Sequence, residues 1–391
     1  MEFRRALQIH DRSIQAKKWG LQIKRMKGIH SKKSKYGLRK IASAAHVSVA
    51  TASRVLNGNN RVDPALQKVV LDAATKFGVD LSQLNRIKSL AFLLSNRTMM
   101  HMFHYRILLG AEAYCTARGW DMVFLSFNYL AQVPWKELHL PNAVQHRDVC
   151  RAVILAGTNS PNLLELLNHK GITHVVLGNN IIGEPRDLKS DAVFSDDING
   201  SQDMTQYLIS LGHRRICFVG NTRLPWFARC YEGYHRTMIE AGLEPLQSSI
   251  DTEDDTEGGY LGAKSLLTRN EPVSAIIAGN DQAAQGVYKG ARDSGLRIPD
   301  DISVTGCNDT IGASLYPRLT SVREFPEQIG KQMAEMILNR IADPALPPQS
   351  VTIPTELIKR DSCRPLSASE DVTSDAVSAR LSNAYGNSGQ L

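Results

Sequence analysis

The sequence predicts two kinds of fold in one chain: a small all-α headpiece, then a two-lobed α/β core of doubly wound parallel sheets. Three observations predict it. Between Leu38 and Gly78, short apolar periods of helical length are separated by turn residues. From residue 89 onward, continuous apolar runs alternate with amphipathic segments. Charge divides at the same place, with 19 Lys and Arg against 5 Asp and Glu in residues 1–88, and 27 against 34 in the remainder. At 391 residues the chain exceeds what one hydrophobic core organises, so two or three domains are expected.

Residues 1–35 hold 11 Lys and Arg and 2 Asp and Glu with little periodicity, and read as a disordered basic arm. Met26 would begin a more compact version of the chain. "LRKIASAA" then forms a short helical pattern, "HVS" a turn, and "VATASRVL" a second helix that "NGNN" stops. Asp63 as N-cap and Pro64 at the first helical position open a third helix, with Gly78 as its stop. The headpiece is thus expected over residues 36–80.

Residues 81–88 form a short link. Beyond them, "SLAFLLS", "MVFLSF", "AVILAG", "HVVLGN", "ICFVG", "SAIIAG" and "ISVTG" read as strands, separated by helical segments such as "YRILLGAEAYCTARG" and "DMTQYLISLG". Continuous apolar strands between helices imply parallel sheets covered on both faces, and their spread over residues 89–366 suits two lobes. "LTSVRE" and "EQIGKQMAEMILNRI" would return the chain across the lobes. The polar tail over residues 367–391 is expected to be disordered.

Six cysteines are scattered without C-x-x-C or zinc-ligand spacing, and read as reduced thiols. No apolar run approaches a membrane span, and the basic N-terminus lacks the apolar region of a signal peptide, so a cytoplasmic protein is expected and "NRT" and "NDT" are chance glycosylation matches. No motif calls for a catalytic site, a metal or a cofactor: G-x-S-x-G, H-E-x-x-H, a Walker loop and G-x-G-x-x-G after a strand are all missing.

The helix, turn and helix over residues 38–57 carry the sharpest chemistry. In such a unit the first helix braces the second, whose N-terminal residues enter the major groove of double-stranded DNA. Ser48 can cap the second helix, leaving Val49, Ala50, Ser53 and Arg54 on its leading face. Small side chains let the backbone approach the bases, and Arg54 can pair with guanine O6 and N7. Thr51, Ser53 and Asn57 suit phosphate oxygens. The plain alternative is a small helical cap, against which the charge asymmetry weighs.

The run "LRKIASAAHVSVATASRVLNGNNRVDPALQKVVLDAATKFG" resembles the N-terminal domain of the LacI/GalR family of bacterial transcription regulators. The likeness continues through "LGHRRICFVG", "EGYHRTMIEAGL", "AGNDQAAQGVYKGARDSGLRIPDDISVTGCND", "PRLTSVRE" and "IPTELIKRDS". It implies a DNA-binding headpiece, a hinge, and a periplasmic-binding-protein-like core that dimerises and holds a small effector between its lobes. By position, Val49, Ala50 and Arg54 match base-contacting residues of the family, and Thr51, Ser53 and Asn57 match backbone-contacting ones.

The chain departs from the family at three places. His46 stands in the turn where Gly is usual, and His tolerates a left-handed conformation. In the hinge only Arg86 is kept, Lys88 replaces the leucine that wedges into the minor groove, and Leu84 is the available substitute. In the cleft, Cys230 stands where an Arg is usual, with Arg229 beside it, and Asn308 followed by Asp309 replaces an Asp. Asn280 is retained. Phe103, His104, Trp226, Arg229, Asn280 and Asn308 are the candidate effector contacts; taken singly, a loop or helix-cap role is the plainer reading for His104 and for Asp309, and ligand contact is the favoured one for Asn280 and Arg229.

These readings add up to a homodimeric regulator on an inverted-repeat operator, modulated by a small effector for which a sugar is one candidate class. Losing a carboxylate acceptor weakens the case for a simple sugar. Two alternatives stay open: a regulator with no small-molecule ligand, and a solute-binding protein, which would need an export signal and no headpiece.

Overall fold

The computed structural model describes residues 33–56, 62–77, 88–97, 101–146, 149–183, 189–252, 254–268 and 273–366. The expectations for residues 1–32 of the basic arm, for Asn57, for Leu84 and Arg86 in the hinge, and for the tail from residue 367 lie outside the described residues. The chain separates into two compact units, the first ending at Lys88 and the second beginning at Ser89.

Among the described residues the first unit holds three helices: α1 (Lys33–Ala44), α2 (Val49–Leu56) and α3 (Pro64–Lys76). The first begins five residues before Leu38 and runs through Gly37, which stands in open space, so the helix is longer than expected despite the cost of an interior glycine. The second has the expected bounds. Its N-terminus is capped by Ser48, whose Oγ accepts from the Thr51 N–H at 3.0 Å. Asp63 caps α3, accepting from Ala65 and Leu66 N–H at 2.9 and 3.3 Å. Between α1 and α2, His46 adopts the left-handed conformation with φ of 52°. Ile41, Ala45, Ala52, Val55, Val70 and Ala74 interlock as a small core. Ala52 has no exposed surface, so the three helices meet closely where it sits.

The second unit contains two sheets. The N-terminal lobe orders its strands β2 (Asp121–Phe127), β1 (Ser89–Ser95), β3 (Ala152–Leu155), β4 (His174–Leu177), β5 (Asp191–Ser195) and β11 (Ser350–Ile353), all parallel. The C-terminal lobe orders β7 (Leu246–Ser248), β6 (Ile216–Val219), β8 (Ala275–Ala278), β9 (Ser303–Asn308), β10 (Thr320–Arg323) and β12 (Glu356–Ile358), parallel except for the last. In each lobe the order turns back on itself beside the first strand, which opens a crevice at the strand carboxyl ends.

Alternate residues of each strand serve opposite faces. In the N-terminal lobe, Leu90, Phe92 and Ile154 pack under α4 (Met102–Thr116), whereas Ala91, Leu93 and Val153 pack under α5 (Pro161–Lys170). In the C-terminal lobe, Ile216, Phe218 and Ile277 face α6 (Asp197–Ser210) and α7 (Pro225–Glu240). Cys217, Val219 and Ile276 face α8 (Asp255–Thr268) and α9 (Asp281–Asp293). Helix α10 (Pro326–Ala342) lies against α4 in the N-terminal lobe. A methyl group on Gly110 would overlap the Glu327 carbonyl, and one on Gly330 that of Ile107, so these two helices meet backbone to backbone.

The chain passes between the lobes three times: from β5 into α6, from β10 through Glu324 into α10, and from β11 into β12. These passages lie together, with the Thr355 hydroxyl donating to the Asp196 carbonyl at 3.2 Å. Among the described residues no helix is long and apolar enough to cross a membrane.

Candidate functional site

Two sites concern function, one in each unit. In the first, the expected reading helix is α2. Ala52 and Val55 turn into the core, which leaves Val49, Ala50 and Arg54 exposed and Thr51 and Ser53 half-buried. Val49 is 44% exposed, a large apolar residue at the first position of the helix. The Thr51 hydroxyl is also 2.8 Å from the Ser48 Oγ. The capped end therefore offers a lean surface of methyls and hydroxyls with a single guanidinium, a composition able to lie close to base edges.

The second site is a cavity at the carboxyl ends of both sheets. It is lined from the N-terminal lobe by Arg97, His101, Phe103 and His104, and from the C-terminal lobe by Trp226, Asp255, Asn280, Gln282 and Asn308. Asp197 and Glu324, on two of the passages between lobes, also line it, together with Cys230 and Cys307. The expected residues Phe103, His104, Trp226, Asn280 and Asn308 thus converge. Arg229 is not among the lining residues. Its Nε donates to Asp197 Oδ1 at 2.9 Å and its Nη2 lies 2.7 Å from the same oxygen, so its charge is directed at a carboxylate that does line the cavity.

Asn280 caps α9 by accepting from the Ala283 N–H at 2.8 Å, and its amide donates to Asp255 Oδ2 at 2.7 Å. Asn308, with φ of 82°, accepts from the Thr310 hydroxyl at 2.9 Å. Arg97 reaches across from the other lobe, 4.6 Å over the Trp226 ring and 3.8 Å from Asp255 Oδ2. His101 Nδ1 lies 3.7 Å from the same oxygen.

Three buried polar atoms on lining residues have no hydrogen-bond partner among the described residues: His104 Nδ1, Asp255 Oδ1 and Gln282 Oε1. Burial, with Arg97 and His101 adding to it, pushes the His104 pKa down to about 3, so the ring is neutral. Its Nε2 lies 3.2 Å from the Asn180 amide nitrogen, which leaves Nδ1 as the unpartnered ring atom. The cavity therefore offers one imidazole nitrogen and two oxygen acceptors to whatever enters. Burial, and then the charge of Asp197, push Glu324 up to about 8, which keeps its carboxyl protonated at neutral pH. With Asp197 matched by Arg229 and Asp255 by Arg97, the charges around the cavity balance.

Arg97, His101, Asp197, Asp255, Gln282 and Glu324 were not singled out from sequence. Arg97 and His101 directly follow the apolar run of β1, and the rule that ligands bind beyond strand carboxyl ends is the signal that could have found them. Among the described residues, no group of three or more His, Cys, Asp and Glu is arranged to hold a metal ion.

Comparison with known proteins agrees with both units. The family model of bacterial regulatory proteins of the lacI family matches residues 37–78, and that of the periplasmic binding protein-like domain matches 205–363. The chain is 28% identical over 337 residues to the HTH-type transcriptional regulator CelR of Thermobifida fusca, covering 83% of this chain and 97% of that protein. Among solved structures, a CelR–cellobiose complex is similar with a TM-score of 0.60 at 25% identity, covering 83% of this chain and 99% of that one. A lac repressor dimer bound to operator and the anti-inducer ONPF has a TM-score of 0.63 at 18% identity, covering 83% and 98%, and shares the fold. The chain, with its helix-turn-helix headpiece and periplasmic-binding-protein-like core, belongs to the LacI/GalR family of bacterial transcription regulators.

Proposed function

We propose that this regulator acts in the cytoplasm as a homodimer on an inverted-repeat operator, and that a small effector in the interlobe cavity modulates its hold on DNA. The observation that carries the DNA part is the exposed leading face of α2, where Val49 and Ala50 meet base methyls and Arg54 takes guanine. Thr51 and Ser53, with Asn57 beyond the described helix, hold phosphates. The arm through residue 35 adds non-specific affinity, residues 81–88 with Leu84 and Arg86 serve as the hinge, and residues 89–366 form the effector-binding core.

Pairing of two chains is supported by an apolar stripe on α4, where Met102, Tyr105 and Leu109 are each 42% exposed at helical spacing. Phe124, on the edge strand β2, is exposed as well. The effector reading is supported by the unpartnered polar atoms on His104, Asp255 and Gln282, which a polyhydroxyl compound, able both to donate and to accept, satisfies. A sugar is the class suggested by the relative whose structure holds cellobiose. Asn280 and Arg229 aim Asp255 and Asp197, while Phe103, Trp226 and Asn308 complete the wall. Effector and operator then influence each other reciprocally through lobe closure.

Selection of bound fragments from random DNA by the purified protein, at two salt concentrations, tests this. A palindromic consensus is expected at both. Binding that is only salt-sensitive and carries no motif would overturn the reading.

A further inference from the structure

Cys230, on α7, and Cys307, near the end of β9, place their sulfurs 3.8 Å apart, and both line the interlobe cavity. The other four cysteines, Cys115, Cys150, Cys217 and Cys363, are in no disulfide either, and none of them lines it. We propose that Cys230 and Cys307 are an oxidisable dithiol, a site at which a small two-electron oxidant such as hydrogen peroxide links α7 to the sheet of the C-terminal lobe. The proposal is independent of which effector the cavity takes.

Bond formation needs the sulfurs to close from 3.8 Å to about 2.05 Å, roughly one ångström each, which rotation of the two side chains can supply. The backbone has little room to help. A methyl on Gly233 would overlap the Ile198 carbonyl, and the Cys230 carbonyl accepts from Ser201 Oγ at 2.6 Å, so α7 is seated firmly on α6. Oxidation therefore reshapes the cavity wall while the lobe stays folded. Trp226 precedes Cys230 by one turn of the same helix and lines the same cavity, so its position responds first.

Burial pushes both thiols up, and with the two sulfurs side by side either one attacks while the other resolves the intermediate. The attacking thiolate takes one peroxide oxygen, the O–O bond breaks, and a sulfenic acid and water form. The second sulfur then attacks the sulfenic sulfur, its proton leaves with the displaced hydroxyl as a second water, and the S–S bond forms. Two thiols and one peroxide become one disulfide and two waters. Because both thiols are pushed up, the reaction is slow at neutral pH and quickens as pH rises.

The test exposes the purified full-length chain to hydrogen peroxide at pH 7 and pH 9, followed by intact mass, peptide mapping and thermal melting. Expected are the loss of two hydrogens, a single Cys230–Cys307 linkage formed faster at pH 9, and a melting midpoint raised by several degrees, because the cross-link closes a long loop in the unfolded chain. Cys230→Ser and Cys307→Ser should each abolish the linkage and leave the midpoint unchanged by peroxide. Three results would overturn the proposal: stable sulfenic or sulfinic acid at either cysteine without linkage, linkage to Cys217 or Cys363 instead, or no reaction under conditions that oxidise the urea-unfolded chain.

Discussion

One residue, Asn280, holds both the start of α9 and the carboxylate of Asp255: its carbonyl oxygen accepts from Ala283 N–H at 2.8 Å while its amide donates to Asp255 Oδ2 at 2.7 Å. The remaining oxygen of Asp255 is left facing the cavity without a partner among the described residues. Helix capping and the orientation of a cavity carboxylate are thereby tied to one side chain.

Replacing Asn280 with Ala should then have two effects. Loss of the cap and of the bond to Asp255 should lower stability by about 1–2 kcal/mol, read by urea unfolding. Effector affinity should fall as well, by tenfold or more in titration calorimetry. An unfolding midpoint equal to the wild type would show that the cap contributes nothing.

Arg54→Ala should abolish operator preference while leaving non-specific binding in place. A lost bidentate contact to guanine is worth about 1–3 kcal/mol, or about 5- to 150-fold in the ratio of specific to non-specific affinity. Competition binding with scrambled DNA measures that ratio, and a ratio equal to the wild type's would remove Arg54 from the reading surface.

Deleting residues 1–30 should weaken binding to all sequences alike and flatten the dependence of log affinity on log salt, since fewer counterions are released. Affinities for operator and random DNA over a salt series test this. Selective loss at one operator would count against a non-specific role for the arm.

Glu324 sets a pH dependence that can be isolated. Its folded pKa, pushed up to about 8, lies above the ordinary carboxyl value, so the folded state holds the proton longer than the unfolded one. Its contribution to stability therefore declines as pH rises from about 4.5 to 8 and levels off above that. Glu324→Gln keeps the neutral form at every pH. The variant should match the wild type near pH 4.5 and exceed it by up to a few kcal/mol at pH 8. Parallel pH profiles for the two proteins would contradict a buried neutral acid. The opposite slope belongs to His104, whose depressed value makes stability fall as pH drops below about 6.5.

Much of this architecture is legible from local pattern. All seven apolar runs are strands; six of them are buried, since residues covered on both faces of a parallel sheet leave an uninterrupted apolar signature, and the seventh, β2, is a half-exposed edge strand. Val49–Leu56 and the Asp63–Pro64 start follow from capping chemistry. The strands not read from sequence, β5, β7, β10, β11 and β12, are short, at three to five residues each. Of these, β7, β11 and β12 ride on edges, where tertiary pairing rather than sequence pattern decides. In the cavity, aromatic and amide residues could be named from motif position. Arg97, Asp255 and Glu324 could not, since each gains its role from a neighbour far along the chain. Arg229 was named as a contact, and its guanidinium is directed at Asp197 because a buried carboxylate without a counter-charge would be costly.

The three passages of chain between the lobes also limit how they can move. A single tether would let one lobe swivel freely on the other, and two would still allow a twist. Three strands of backbone gathered side by side, with Thr355 bonded to Asp196 among them, permit bending about one line and resist rotation about any other. Under the proposed function, closure of the lobes on an effector is then expected to be a bend about that one line.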